Sequence, residues 1–144
     1  MVIKEAKIRI ESVIQNLDAV GLADGDPERS ATSGVGYYHF DKDKILITYC
    51  EDTEGGRLTS EIVVSGGAVR VRRSGAIESD MEIKEGFTDR SVYSISPYRF
   101  DMEITGGRVR SELSESGGRI DLRYSMKIGG AEKSAGMKIW IQAD

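Results

Sequence analysis

The stretch "SEIVVSGGAVRVRRSGAI", residues 60–77, decides the fold. Val64 and Val69 flank Gly66-Gly67, with Ile62 and Val71 next outward and charged Glu61 and Arg72 on the alternate positions. Period-two alternation is that of a half-buried strand, and a Gly-Gly pair supplies the positive φ angles of a two-residue corner without a Cβ clash. Opposed residues in a hairpin share a face. Ile62 therefore lies across from Val71, and Val64 across from Val69, on an apolar side, while Glu61 faces Arg72 on a polar one. The strand then ends on Arg73, which points the way its valines pointed.

Similar pairs stand at Gly55-Gly56, Gly106-Gly107, Gly117-Gly118 and Gly129-Gly130, each between short alternating segments. Corners spaced by roughly 10 residues suggest a sheet sandwich or barrel. A corner at Lys42-Asp43 opposes Tyr38 to Ile47 and Gly36 to Tyr49. One at Gly55-Gly56 opposes Tyr49 to Ile62 and Ile47 to Val64. At Gly106-Gly107 it opposes Ile104 to Val109, Met102 to Ser111 and Phe100 to Leu113, with Glu103 facing Arg110 outside. At Gly117-Gly118 it opposes Leu113 to Leu122 and Val109 to Met126. A three-residue loop, Ser74-Gly75-Ala76, opposes Arg73 to Ile77 and Val71 to Ser79. The register around Gly129-Gly130 stays open, and one choice points Lys133 inward. A one-residue slip at any settled corner would bury charges.

Consecutive hairpins sharing one apolar face make a meander, and closure removes its edges. The expected fold is all-β, an antiparallel up-and-down β-barrel of about 8–10 strands, with Ile8 and Ile10 in the first. It forms a single domain over residues 1–144, with 16–34 an irregular or short helical connection.

The totals narrow the function classes. A chain of 144 residues buries a real core unaided, and 31% charged residues of both signs, net -4, argue against nucleic-acid or anionic-membrane partners. The single Cys50 forms no internal disulfide and suits a reducing, cytoplasmic setting. "MVIKEAKIRIESVIQ" interrupts its apolar residues with Lys4, Glu5, Lys7 and Arg9, so neither a signal peptide nor a membrane span is expected there.

The candidate site residues face inward or line a rim. Tyr38, Tyr49, Met81, Met102, Tyr124 and Met126, with Met137, form an inward set of phenols and thioethers. Such residues suit an adaptable cavity for a small apolar or amphipathic ligand, or they fill the barrel themselves. The registers also place Glu51, Ser60 and Arg73 in one row. Glu51 and Arg73 then either neutralise each other over the small Ser60, or Arg73 anchors a carboxylate or phosphate. A carboxylate already in reach favours the first. His39 falls outside opposite Leu46, and Cys50 falls outside with no cation expected nearby, so no metal site, cofactor or catalytic constellation emerges. An outer patch of Val35, Tyr37, Leu46 and Cys50 is less charged than its surroundings. It implies a cover, either the segment around Leu17–Leu22 or a second subunit in a homodimer.

Several stretches carry a resemblance: "VGYY" at residues 35–38, "RSGA" at 73–76, "SPY" at 96–98 and the final glycine hairpins. In these the chain resembles the YwiB-like family of small bacterial proteins, from about residue 30 onward. The resemblance implies a calycin-like, lipocalin-related barrel and a small residue after "SPY", where Arg99 stands. It brings no catalytic or binding residues. Two functions are therefore carried forward: a binder of a small apolar or amphipathic molecule, and a non-catalytic structural or interaction module with a filled barrel. No enzyme is expected.

Overall fold

The computed structural model describes residues 2–143, and side chains from Ile3 onward. Ten strands follow in order: β1 (Val2–Asn16), β2 (Glu28–Phe40), β3 (Ile45–Thr53), β4 (Gly56–Ser65), β5 (Ala68–Gly75), β6 (Ser79–Lys84), β7 (Thr88–Ile95), β8 (Tyr98–Ser114), β9 (Gly117–Ile128) and β10 (Ala131–Ala143). Chain neighbours pair antiparallel except β6 with β7, and β1 pairs with β10, so the meander runs β6-β5-β4-β3-β2-β1-β10-β9-β8-β7. The two ends of this sheet meet at a seam, joined by isolated bridges Glu78–Ser94 and Glu85–Gly106. The result is a nearly closed antiparallel barrel, as the alternation predicts.

The decisive hairpin holds: Ile62 pairs with Val71, Val64 with Val69 and Glu61 with Arg72. Gly66 and Gly67 take φ of 58° and 78°, and Gly129 and Gly130 take 56° and 84°, so both pairs are true two-residue corners. Tyr38–Ile47 and Gly36–Tyr49 also pair as expected.

Three registers differ by an even number of residues. Glu54-Gly55 forms the β3–β4 corner, so Ile47 meets Ile62 and Tyr49 meets Ser60. Glu115-Ser116 forms the β8–β9 corner, so Leu113 meets Gly118 and Val109 meets Leu122. Beyond Val71, which meets Met81, the β5–β6 connection is longer than expected and Arg73 faces Ser79, not Ile77. There the backbone stays on β4, with Gly75 paired to Leu58 and the Ala76 N–H bonded to the Arg57 carbonyl at 2.9 Å.

The expected corner at Gly106-Gly107 does not exist. Both glycines lie inside β8, outside the positive-φ region, and the β7–β8 corner falls at Ser96-Pro97. Met102 therefore pairs with Ser91 and Ile128 rather than Ser111, and Phe100 pairs with Tyr93 rather than Leu113. Glu103 faces Arg90 and Lys127, not Arg110. A bulge between Gly106 and Arg108 inserts one residue. The inward set thus switches from Met102 and Ile104 to Val109 and Leu113, the same parity change that a two-residue corner would cause.

The segment expected to be irregular over 16–34 is shorter. Glu28–Gly34 already belong to β2, pairing with β1 from Ile14–Glu28 to Ile8–Gly34. The remaining connection carries exposed Val20 (79%) and Leu22 (65%), so it does not cover the outer patch.

Candidate functional site

The inward phenols and thioethers are core. Tyr38 is fully buried and Tyr49, Met81, Met102, Tyr124 and Met137 nearly so, while Met126 packs partly buried against them. Between them Ile47, Ile83, Ile104, Ile120, Leu122 and Ile139 have no exposure. The Tyr38 hydroxyl donates to the Ser114 carbonyl at 2.8 Å, and burial pushes its pKa up to about 12. The Tyr49 ring lies over Gly34, where an added Cβ would come within 2.7 Å of a ring carbon. Burial also raises the Tyr124 pKa, and the Arg73 charge opposes that rise, which places the guanidinium within electrostatic reach of the phenol.

The row expected to join Glu51 to Arg73 reads Tyr49, Ser60, Arg73, Ser79 instead. Glu51 pairs with Leu58, one step nearer the rim. Among the described residues neither Glu51 nor Arg73 enters an ion pair; those present are Arg9–Glu11, Arg70–Asp80, Arg72–Asp80 and Arg110–Glu85. The two-residue register difference at the β3–β4 corner is what separates them. Arg73 is half-buried between Ser60 and Ser79, both buried. Lys133 pairs with Met126 and so shares the inward parity.

Two grooves lie on the outer surface of β1, β10 and their neighbours. One, of about 670 Å³, is lined by consecutive residues 121–125 and 134–138, so its floor is the sheet itself, bare at Gly136. Glu11, Arg29, Arg123 and Lys138 surround it with both signs of charge. The other, of about 590 Å³, runs past Val35 and Trp140. Trp140 is half-buried on the outward parity of β10, paired with Arg9 on one side and Arg119 on the other. Sequence reasoning passed over it, although "KIWIQ" alternates Ile139 and Ile141 inward and thereby sends the only tryptophan out.

Beside these grooves, Val35 (57% exposed), Tyr37 (55%) and Ile3 (60%) stand on one outer face of β1 and β2, next to Leu46 and Cys50 on β3. His39 pairs with Leu46 on the same face, as expected. Cys50 is exposed and pairs with Thr59, its Sγ 3.6 Å from the Thr59 hydroxyl. The Thr59 hydroxyl and then the Arg57 guanidinium lower its thiol pKa, so a cation does stand nearby, contrary to the sequence reading. Arg57 reaches it because β4 pairs Asp52 with Arg57, two residues along.

The family described as Domain of unknown function (DUF1934) matches residues 13–139. The chain belongs to that family. This DUF1934 chain is 27% identical over 122 residues to the "Uncharacterized beta-barrel protein YwiB" of Bacillus subtilis (strain 168), covering 85% of this chain and 81% of that one. The crystal structure of the ywiB protein from Bacillus subtilis is similar with a TM-score of 0.84 and 25% identity, over 99% of this chain and 93% of that chain. The YwiB-like resemblance and its barrel therefore hold for the DUF1934 chain.

Proposed function

We propose that this protein is a non-catalytic interaction module whose barrel is filled by its own side chains and whose outer β1–β3 face binds a second copy of the chain. The observation that carries it is the contrast in burial. The tyrosines and methionines that would line a cavity are packed core, whereas Val35, Tyr37 and Ile3 stand out on one face. Exposed aromatic and branched residues grouped on a sheet face are costly to leave in water and typical of the centre of an interface. Leu46 and Cys50 extend the face and make it testable, because Cys50 is the only cysteine. In sedimentation velocity the wild type runs as a concentration-dependent dimer, a short bis-maleimide links Cys50 to its counterpart, and Tyr37→Glu abolishes both. A monomer at high micromolar concentration would defeat the reading. The exposed thiol also suits a reducing cytoplasm.

A second reading, a binder of a small apolar or amphipathic molecule, is favoured by one feature. Ile95, Tyr98 and Phe100 carry the inward parity of β7 and β8 yet are 42%, 64% and 39% exposed at the β7–β8 corner. The lipocalin-type kinship implied by the resemblance points the same way. Native mass spectrometry of freshly purified protein separates the two readings: a retained small molecule supports the second, bare chain masses the first.

A further inference from the structure

The inward row Tyr49, Ser60, Arg73, Ser79 continues across the barrel seam. Glu78 and Ser94 exchange backbone hydrogen bonds of 2.9 and 2.8 Å. That antiparallel pair sets Ser79 beside Tyr93, and Tyr93 pairs with Phe100. Arg73 is the one charged member of the row, with a serine on each side. Ser60 and Ser79 are 3% and 8% exposed, and Tyr124, within electrostatic reach of the guanidinium, is 7% exposed. Among the described residues, the hydroxyls that bond protein atoms lie elsewhere. No fully buried side-chain oxygen lacks a partner, so these three hydroxyls stay accessible as spare donors. One inward step toward the rim, about 7 Å along the strands, stand Leu58, Ile95 and Tyr98. The Tyr98 and Phe100 rings stack at 6.5 Å and leave apolar surface exposed. The charges of inward parity at this end are Arg73, Lys133, Glu28 and Glu51, which cancel, so local donors rather than a surplus of charge decide what fits.

We infer that this end of the barrel binds a small amphipathic monocarboxylate head-first, its carboxylate on Arg73 between Ser60 and Ser79 and its tail against Ile95, Tyr98 and Phe100. One planar guanidinium matches one carboxylate in charge and in spacing, and neighbouring hydroxyls satisfy the oxygen lone pairs left over. An apolar tail covers the lip that the fold leaves in water. Deeper in the barrel Ile47, Ile104, Ile120 and Ile139 have no exposure, so the head goes no further than the Arg73 row. Such a site rests on the second reading above, a binder of a small amphipathic molecule, and is independent of self-association through β1–β3.

The test compares sodium octanoate with 1-octanol, which share a tail and differ in head, by nitrogen-15 NMR titration of the full chain at neutral pH. Octanoate should give saturable shifts at Ser60, Ser79 and Tyr93 and bind about tenfold or more tighter than 1-octanol, the effect of one charge-assisted contact. Arg73→Gln should abolish that preference and leave 1-octanol binding unchanged. The wild-type comparison needs no variant, so it decides the head group even if Arg73→Gln does not fold. Glu51→Gln should alter octanoate affinity by less than about threefold, since Glu51 stands one step nearer solvent, where charges are screened. A gain of about tenfold would show that Glu51 already neutralises Arg73 and would overturn the site. Equal affinity for the two probes, or a preference that survives in Arg73→Gln, would overturn the carboxylate site and leave the amphiphile reading standing. Absence of saturable binding by either probe would overturn both.

Discussion

Replacing Gly106 tests the seam. The Gly106 N–H donates to the Phe87 carbonyl at 3.1 Å, and its carbonyl accepts the Gly86 N–H at 3.0 Å, so one buried glycine ties β8 to the turn after β6. A Cβ there would overlap the Lys84 carbonyl oxygen and lie 2.6 Å from the carbonyl carbon and 2.9 Å from the nitrogen. Those are backbone atoms, which move only by opening the seam. Two lost backbone hydrogen bonds cost about 1–3 kcal/mol, and overpacking adds about 1–3 kcal/mol, so Gly106→Ala should cost about 2–6 kcal/mol. For a domain of this size that lowers Tm by roughly 10 °C. Gly106→Asn separates this account from the hairpin suggested by "GG". Asparagine is welcome at a left-handed corner, but here it brings the same Cβ and a longer side chain. Thermal unfolding followed by circular dichroism reads both variants. A Gly106→Asn protein melting within about 2 °C of wild type would refute the seam contact. Gly136→Ala is the control, since its Cβ meets only the Leu122 carbonyl oxygen at 3.7 Å. Its effect should be neutral or stabilising by up to about 1 kcal/mol.

Three further outcomes follow from the packing and charge. Double-mutant cycles should give a coupling of about 0.5 kcal/mol or more for Ile62 with Val71 and for Ile47 with Ile62, whereas Met102 and Ser111 should be additive; denaturant melts that couple the last pair would restore the discarded hairpin. Tyr38 keeps its proton to about pH 12 in the fold against 10.0 for a free phenol. Between those values the native state binds more protons, so stability falls as pH rises, by at most about 2.7 kcal/mol, and Tyr38→Phe should flatten that part of the urea-stability profile. Arg57→Gln returns the Cys50 thiol toward its ordinary pKa, so iodoacetamide alkylation at neutral pH should slow; an unchanged rate would remove Arg57 from the account.

Alternation made the barrel and its inward residues legible and left the registers partly open. Period two reports which face a residue occupies, and every slip by two or four residues leaves that face unchanged. Ile47 is as well buried opposite Ile62 as opposite Val64, so the β3–β4 corner was misplaced without any warning in the pattern. The switch of parity between Ile104 and Val109 had two physical causes available, a corner or a bulge, and only the distant contact with Lys84 chooses between them. Residues 28–34 escaped notice as a strand because their pairs are main-chain bonds to β1 and their side chains are exposed or half-buried, which allows polar residues throughout. The candidate site suffered from the same blindness. Arg73 was placed correctly against Ser60, but its supposed partner Glu51 lay one pleat away. Trp140 carried a readable signal in its parity.

Xenon under pressure, followed by methyl NMR, probes the solid interior most directly, because xenon enters apolar voids without needing a polar contact. Shifts should be confined to methyls near the outer grooves and the β7–β8 corner, such as Val13, Val35 and Ile95. Saturable shifts at Ile47, Ile104, Ile120 and Ile139 together would reveal a hollow barrel and contradict the account.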